Sequence, residues 1–133
     1  MPRLDAIGIV VSSMATSTEF YRHLGLDFPD GAENEGHVEA KTPGGIRVML
    51  DTEDMLKSFS DWEHPHGGGQ RTTLAFLCET PAEVDRLHLL LTKTGGSSVI
   101  APFDAPWFMR YATVADPDGN SFDLFAQQET PPA

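Results

Sequence analysis

Two stretches of the chain alternate apolar and polar residues on either side of a turn rich in proline and glycine. Residues 111–125 flank the turn Asp116-Pro117-Asp118-Gly119, and residues 39–51 flank Thr42-Pro43-Gly44-Gly45. A proline presets φ for the first corner of such a turn, and a glycine supplies the free φ at its end. Both stretches are therefore predicted to be β-hairpins, and the chain repeats one design twice.

The repeat extends upstream of each hairpin, where an apolar strand is followed by a helix. A shift of 67 residues places Phe20 on Leu87 and Leu24 on Leu91, so the two helices share their apolar spacing. The other residues that carry the strand and helix pattern are Ile7, Ile9, Val11, Leu74, Phe76 and Val84. The halves therefore correspond beyond their hairpins.

The ends of both helices carry typical capping residues. Ser13 is the predicted N-cap of the first helix, and Thr80-Pro81-Ala82-Glu83 supplies a cap hydroxyl, a first-turn proline and a capping-box glutamate to the second. Gly25 and Gly95-Gly96 are natural stops. Each half is read as β-α-β-β or β-α-β-β-β over roughly 50 residues.

This arrangement resembles the vicinal oxygen chelate superfamily, which includes glyoxalase I, ring-cleaving dioxygenases, fosfomycin-resistance transferases and bleomycin-resistance proteins. The resemblance covers about residues 4–127 and is closest in style to bleomycin-resistance-like members. The motifs that carry it are Val10-Val11, Phe20-Tyr21-Arg22-His23-Leu24-Gly25-Leu26, Leu74-Ala75-Phe76 and Asp116-Pro117-Asp118-Gly119-Asn120. It implies an α+β fold in which two βαβββ modules form a U-shaped mixed sheet, with helices on the convex side and a ligand in the concave face.

One domain with two modules is expected for a chain of 133 residues. The predicted parts are module one at about 4–53, a linker at 54–71, module two at about 72–127 and a frayed tail at 128–133. The apolar residues Met55, Leu56, Phe59 and Trp62 indicate a short helix or an ordered flap over the cavity mouth.

Composition limits the partners and the compartment. The net charge of −11 disfavours nucleic acid, and it would attract a cationic ligand if the acidic groups line a cleft rather than serve solubility alone. The sequence has no run of about 18 apolar residues, so no membrane span is predicted. Its N-terminus lacks the apolar core of a signal peptide, so secretion is not expected. A lone cysteine, Cys78, fits a reducing cytoplasm.

In metal-dependent members of the superfamily, four converging positions bind one divalent ion, usually through His, Gln or Glu. The resemblance places them here at Ala6, Met49, Thr73 and Asp123. Met49 and Asp123 are twins, because each lies four residues after its turn glycine. One carboxylate offers too few donors for a catalytic ion, so no metal and no cofactor are expected.

Strand alternation turns Arg47, Met49 and Asp51 toward the cavity, along with Asp123 in the last strand. Arg47 is the predicted cation for a cavity carboxylate. Asp123 has two possible roles. It either pairs with Arg47 or contacts the ligand directly.

The segment Pro102–Arg110 is unusually aromatic for a connector, and its two prolines are expected to hold it extended. Phe103 and Trp107 are predicted ligand-binding residues, as is Trp62 from the linker, because aromatic rings stack on planar ligands. For Trp107 and Phe108, ordinary core packing is the alternative. Asp104 is a further candidate for charge complementarity.

Other chemistry has weak sequence support. His64-Pro65-His66 is either an exposed loop or a metal site that lacks a third donor. His37 is assigned to a loop, and His23 and His88 to outer helix faces. Cys78 is either a thiol activated at a helix start or a small buried residue. No catalytic residue is predicted.

Two function classes remain. The first is a metal-free binding protein that sequesters a small, antibiotic-like compound, planar aromatic or cationic. The second is an enzyme of the same superfamily, a lyase, isomerase or dioxygenase, which would use Asp123 as a base or a metal held by other residues. The resemblance also implies a homodimer.

Overall fold

The starts of the two main helices align the halves of the chain. In the computed structural model, which describes residues 1–129, Ser13 and Thr80 both cap a helix and lie 67 positions apart. The backbone N–H of Thr16 donates to Ser13 Oγ at 3.2 Å, and that of Glu83 donates to Thr80 Oγ1 at 3.2 Å. The predicted helix starts and the repeat that they define are confirmed.

Ten helices and strands follow one another in the described chain. They are β1 (Ala6–Val11), α1 (Met14–Arg22), β2 (His37–Lys41), β3 (Arg47–Thr52), α2 (Glu53–Phe59), β4 (Leu74–Leu77), α3 (Pro81–Lys93), β5 (Ser97–Ala105), β6 (Met109–Ala115) and β7 (Ser121–Gln127), with a 3₁₀ turn at Ala32–Asn34. The chain divides into two compact units, of which the first spans Met1–Gly68 and the second begins at Gly69. The predicted α+β class is confirmed.

The first unit contains a three-stranded mixed sheet, sheet A, in the order β1-β3-β2. β1 runs parallel to β3, and β2 runs antiparallel to it. One face is apolar and buried, with Val38, Val48 and Leu50 packed in the same core as Phe20 and Tyr21 of α1. The opposite face carries half-buried polar side chains, as the predicted alternation requires.

The second unit contains a four-stranded mixed sheet, sheet B, in the order β4-β7-β6-β5. Helix α3 covers one face, where Val84 and Leu91 are buried with Phe122 and Leu124 of β7. This unit has the complete βαβββ order. The first unit has βαββ, because residues 27–36 form a loop with the 3₁₀ turn where the second unit has β5.

Both predicted hairpins are present, and their turns match. Gly45 and Gly119 adopt positive φ of 92° and 87°, which glycine accepts without strain. Each donates its N–H back across the turn, Gly45 to the Thr42 carbonyl at 2.9 Å and Gly119 to the Asp116 carbonyl at 3.0 Å. Since these glycines lie 74 positions apart, the second half holds seven more residues between helix start and turn. The longer α3 and strand β5 occupy that stretch.

Arg110 ties α3 to sheet B. Its guanidinium donates to both carboxylate oxygens of Asp85, at 2.9 and 3.1 Å, and to Asp104 at 3.1 Å. Gln128 also donates to Asp104, at 2.9 Å, and its N–H donates to the Phe108 carbonyl at 3.0 Å. Gln128 is thus anchored, although the tail was expected to fray from this residue; residues 130–133 of that tail lie outside the described residues.

The segment between the two halves forms the expected short helix, α2. Thr52 caps it by accepting from the Met55 N–H at 3.1 Å. Met55, Leu56 and Trp62 are half-buried, whereas Phe59 is exposed. Across residues 1–129, no helix is both long and apolar enough to cross a membrane.

Replacing Leu91 by alanine should destabilise the fold by about 2–5 kcal/mol, because Leu91 is fully buried and the loss leaves a cavity beneath α3. Leu89 is the matched control, since it lies on the same helix and is 55% exposed. Leu89→Ala should change stability by less than about 0.5 kcal/mol. Urea unfolding followed by circular dichroism measures both; equal losses would contradict the assigned core.

Candidate functional site

The polar and aromatic side chains of the second unit share the face of sheet B that α3 does not cover, here called the far face. Along β7, Phe122 and Leu124 are buried, while Asp123 and Phe125 are half-buried and belong to the far face. In the register, Thr113 of β6 lies opposite Asp123, and Tyr111 lies opposite Phe125. The predicted alternation of β7 is therefore confirmed, and Asp123 is surrounded by β6 side chains.

Asp123 accepts hydrogen bonds from two hydroxyl groups of β6. Thr113 Oγ1 donates to Oδ1 at 2.7 Å, and the Tyr111 hydroxyl donates to Oδ2. Burial, together with the hydrogen bond to Asp123, raises the pKa of Tyr111 to about 12. Tyr111 therefore keeps its proton at neutral pH and holds the carboxylate in place.

Three aromatic rings lie beside this carboxylate, and we call them the aromatic corner. The ring centroids of Phe103, Trp107 and Tyr111 are 5.6 to 6.3 Å apart. The three interplanar angles are 89°, 67° and 81°, so the rings meet edge to face. Trp107 is 51% exposed, which leaves ring surface for another molecule.

Trp107 lies in the tight turn between β5 and β6. The segment 102–110 is thus the end of one strand, a turn and the start of the next. Pro102 lies in extended backbone as predicted, but the prediction of one extended connector was wrong, because Pro106 begins the turn. Phe108 follows Trp107 with φ of +62°, in the left-handed region that bulky side chains rarely adopt. The N–H of Phe108 donates to the Ala105 carbonyl at 3.1 Å, which holds the turn. The fold accepts backbone strain at the turn that presents two exposed aromatic rings.

In the first unit, His37 lies between two carboxylates on the exposed face of sheet A. Its Nδ1 is 2.6 Å from Asp51 Oδ1, and its Nε2 is 2.8 Å from Glu39 Oε2. A neutral imidazole has one N–H, so both bonds form together only when the ring is protonated. The hydrogen bonds that His37 donates to Glu39 and Asp51 accordingly raise the pKa of His37.

The assignment of His37 to a loop was wrong, because it is the first residue of β2. The sequence analysis therefore missed the contacts of His37 with Glu39 and Asp51. The available signal was spacing, since His37 and Glu39 are two residues apart and share one strand face.

Arg47 completes a row of charges on this face. It donates to Glu39 Oε1 at 2.6 Å and to Asp5 Oδ2 at 2.7 Å. Arg47, the predicted cation for a cavity carboxylate, thus pairs with Glu39 and Asp5, and the cation that contacts Asp51 is His37. Met49 lies in the same strand, half-buried, opposite Gly8 of β1.

The four positions at which the superfamily binds metal offer a poor donor set here. They divide between the units, with Ala6 and Met49 in the first and Thr73 and Asp123 in the second. The side chains of Ala6 and Met49 carry no oxygen or nitrogen donor, which leaves the Thr73 hydroxyl and the Asp123 carboxylate, and each Asp123 oxygen accepts a hydrogen bond from a hydroxyl group. The carboxylates around His37 bind opposite ring nitrogens and do not converge. Within residues 1–129, no three His, Cys, Asp or Glu side chains are placed to hold a metal ion.

Two other histidine candidates, His64 and His88, have local partners, whereas the buried Nε2 of His23 has no hydrogen-bond partner among the described residues. His64 Nε2 is 2.7 Å from Glu53 Oε1, and the His64 ring lies 5.1 Å from that of Trp62. His88 Nε2 is 2.7 Å from Ser98 Oγ, and burial lowers the pKa of His88. Trp62, a predicted ligand residue, thus packs on a histidine of its own segment.

Comparison with known proteins gives a consistent picture. The model of the Glyoxalase/Bleomycin resistance protein/Dioxygenase superfamily matches residues 3–124. A glyoxalase-related enzyme from Fulvimarina pelagi superposes with a TM-score of 0.78 at 17% identity, covering 96% of this chain and 89% of that one. A glyoxalase/bleomycin resistance protein/dioxygenase family enzyme from Burkholderia phytofirmans PsJN gives 0.76 at 18% identity, covering 95% and 99%. No curated protein matches the chain. At these identities the structures share the fold alone.

Removing the His37 imidazole should destabilise the protein most at low pH. Its folded pKa lies above the unfolded value near 6.5, so its contribution is complete below pH 6.5 and disappears as pH rises through the folded pKa. The unfolding midpoint of His37→Asn should therefore fall below that of the parent at pH 5.5 and converge with it at alkaline pH. Exposed His66→Asn is the control; a constant offset at all pH values would contradict the network.

Cys78 should be unreactive in the folded protein. Burial, and then the charge of Glu83, raises the pKa of this thiol to about 11, so little thiolate exists at pH 8. Iodoacetamide at pH 8 should label Cys78 slowly in buffer and rapidly in denaturing urea, as followed by mass spectrometry. Rapid labelling of folded protein would instead support an activated thiol.

Proposed function

Because the chain belongs to the glyoxalase/bleomycin resistance protein/dioxygenase superfamily, we propose that it binds a small antibiotic-like molecule, cationic or planar aromatic, without a metal and without turnover. The observation that carries this proposal is the aromatic corner, where half-exposed Trp107 adjoins Tyr111 and the carboxylate that Tyr111 holds. Small-molecule sites typically combine aromatic surface with a few well-placed polar groups.

The arrangement of groups around Asp123 favours binding over catalysis. A general base must be able to reach the substrate proton, whereas the hydrogen bonds from Thr113 and Tyr111 fix the orientation of the Asp123 carboxylate against β6. Tyr111 itself, with a pKa of about 12, is a poor base and a poor acid at neutral pH. The raised pKa of Cys78 removes the thiol as a nucleophile. Sequestration requires none of these steps.

The strain at Phe108 supports a binding role for the same turn. Strained residues persist where the surrounding structure enforces them, and they concentrate at ligand sites. Here the enforced turn leaves both Trp107 and Phe108 about half exposed. A buried core role for these two rings, the alternative raised by the sequence, does not fit that exposure.

The homodimer and the cytoplasmic location stay predictions. The dimer rests on the family resemblance, and the compartment rests on the lone cysteine, Cys78. Light scattering after gel filtration measures the first directly.

Tryptophan fluorescence tests the proposed site, because the chain has two tryptophans in different segments. In a Trp62→Phe variant, Trp107 is the sole tryptophan, and we expect its emission to be quenched by at least one planar or cationic compound of a broad panel. The reciprocal Trp107→Phe variant, which keeps Trp62, should not respond to that compound.

The two variants separate the outcomes. A response confined to Trp62 would move the site to the segment after α2 and contradict the proposed one. No response from Trp107 across the panel would contradict the binding function. Product formation at a rate that depends on Asp123 would favour the enzyme alternative.

A further inference from the structure

The aromatic corner has the geometry of a cation site. The ring planes of Phe103, Trp107 and Tyr111 meet at 67° to 89°, with centroids 5.6 to 6.3 Å apart. Rings at such separations and angles can all lie within the roughly 6 Å at which a cation is attracted to an aromatic ring. In this edge-to-face packing, the edge of one ring contacts the face of its neighbour. Trp107 is the most exposed of the three rings.

The adjoining carboxylate strengthens this preference. Ion pairs within residues 1–129 include Asp5, Asp51, Asp85 and Asp104 but not Asp123, whose described partners are two neutral hydroxyls. Its charge is therefore not balanced by an arginine, lysine or histidine. Tyr111 donates its proton toward that carboxylate, which makes the phenol ring richer in electrons and the site more attractive to a cation.

The kind of cation follows from what the far face cannot supply. A divalent metal needs several converging oxygens, and a primary ammonium or guanidinium needs acceptors to replace its water. Among the described residues, Asp123 is the one acidic side chain of this face, and with a hydroxyl on each oxygen it offers few acceptors for a metal or for several N–H groups. The neighbours on β4 and β7 are Ala75 and Phe125, which are apolar. A cation that carries methyl groups instead of N–H groups needs no hydrogen-bond acceptors and therefore suits such surroundings better.

We propose that the far face of the second unit recognises an alkylated ammonium group, through the three rings of the aromatic corner and the charge of Asp123. This inference rests on the proposed binding function and narrows it from any planar or cationic compound to one ligand chemistry. The ring faces supply attraction to the positive charge, Phe125 and Trp107 cover the methyl groups, and Asp123 excludes anions.

Choline and its neutral isostere 3,3-dimethyl-1-butanol test the proposal, because they differ in charge and match in shape. Binding is followed in the Trp62→Phe protein through the indole N–H resonance of Trp107, at constant ionic strength. We expect choline to bind at least about tenfold more tightly than the isostere, the size of a partly desolvated cation–π contribution. Ethanolamine, which carries N–H groups in place of methyl groups, should bind more weakly than choline.

Two substitutions assign the preference to its residues. Trp107→Leu keeps apolar surface and removes the π system, so the choline-to-isostere ratio should fall toward one. Asp123→Asn should weaken choline and leave the isostere unchanged. Leu89→Ala, at an exposed residue of α3 on the opposite side of sheet B, is the control and should alter neither.

The failures are distinguishable. Equal binding of choline and isostere would contradict ammonium recognition and leave a simple apolar site. If neither binds while neutral planar compounds quench Trp107, the ligand class is wrong and the binding function stands. If choline, its isostere and every planar compound fail to perturb Trp107, both the proposed binding function and the proposed recognition of ammonium groups are wrong.

Discussion

The hydrogen bonds from Tyr111 and Thr113 to Asp123 determine what the far face of sheet B can do. They hold the half-buried Asp123 carboxylate against β6, with one hydrogen bond to each of its oxygens, and the tyrosine hydroxyl stays protonated as the donor. The same tyrosine ring forms one side of the aromatic corner, so one side chain couples the charge to the aromatic surface. Without these bonds, the Asp123 carboxylate would be free to change its orientation, and the ring of Tyr111 would lose its anchor.

The two units treat their acidic groups differently. In the first unit, Arg47 and His37 bridge Asp5, Glu39 and Asp51, so each of these carboxylates meets a cation. In the second unit, Arg110 balances Asp85 and Asp104 at the edge of the sheet, while the partners of Asp123 among the described residues are two hydroxyl groups. The two halves thus share helix starts and hairpin turns but differ in strand number and in the pairing of their charged side chains. Within the described part of the chain, cations neutralise Asp5, Glu39 and Asp51 of the first unit but not the charge of Asp123 in the second. This difference suits a protein with a single ligand site.

The elements that sequence reasoning predicted well are those set by local chemistry. Ser13 and Thr80 cap helices, and Gly45 and Gly119 take positive φ, because a hydroxyl or a missing Cβ acts within a few residues. The alternation of β7 was also predictable, since period two needs only the strand assignment.

The side-chain contacts were less predictable, because they depend on which strands meet and in what register. Arg47 reaches Glu39 and Asp5 rather than Asp51, which follows from strand pairing and not from spacing alone. Pro102 suggested a connector, yet it lies in β5, an edge strand that tolerates a missing N–H. The left-handed backbone of Phe108 has no local sequence signal at all.

Hydroxyl groups hold Asp123 in place, and we propose that the face around it binds a ligand without a metal. Equilibrating the purified protein with manganese, iron(II), nickel or zinc, removing free ion and measuring bound metal by mass spectrometry tests that claim most directly. The account predicts far less than one equivalent of each metal and no change on replacing Asp123 by asparagine. One equivalent of any of them, lost in the Asp123→Asn protein, would contradict it.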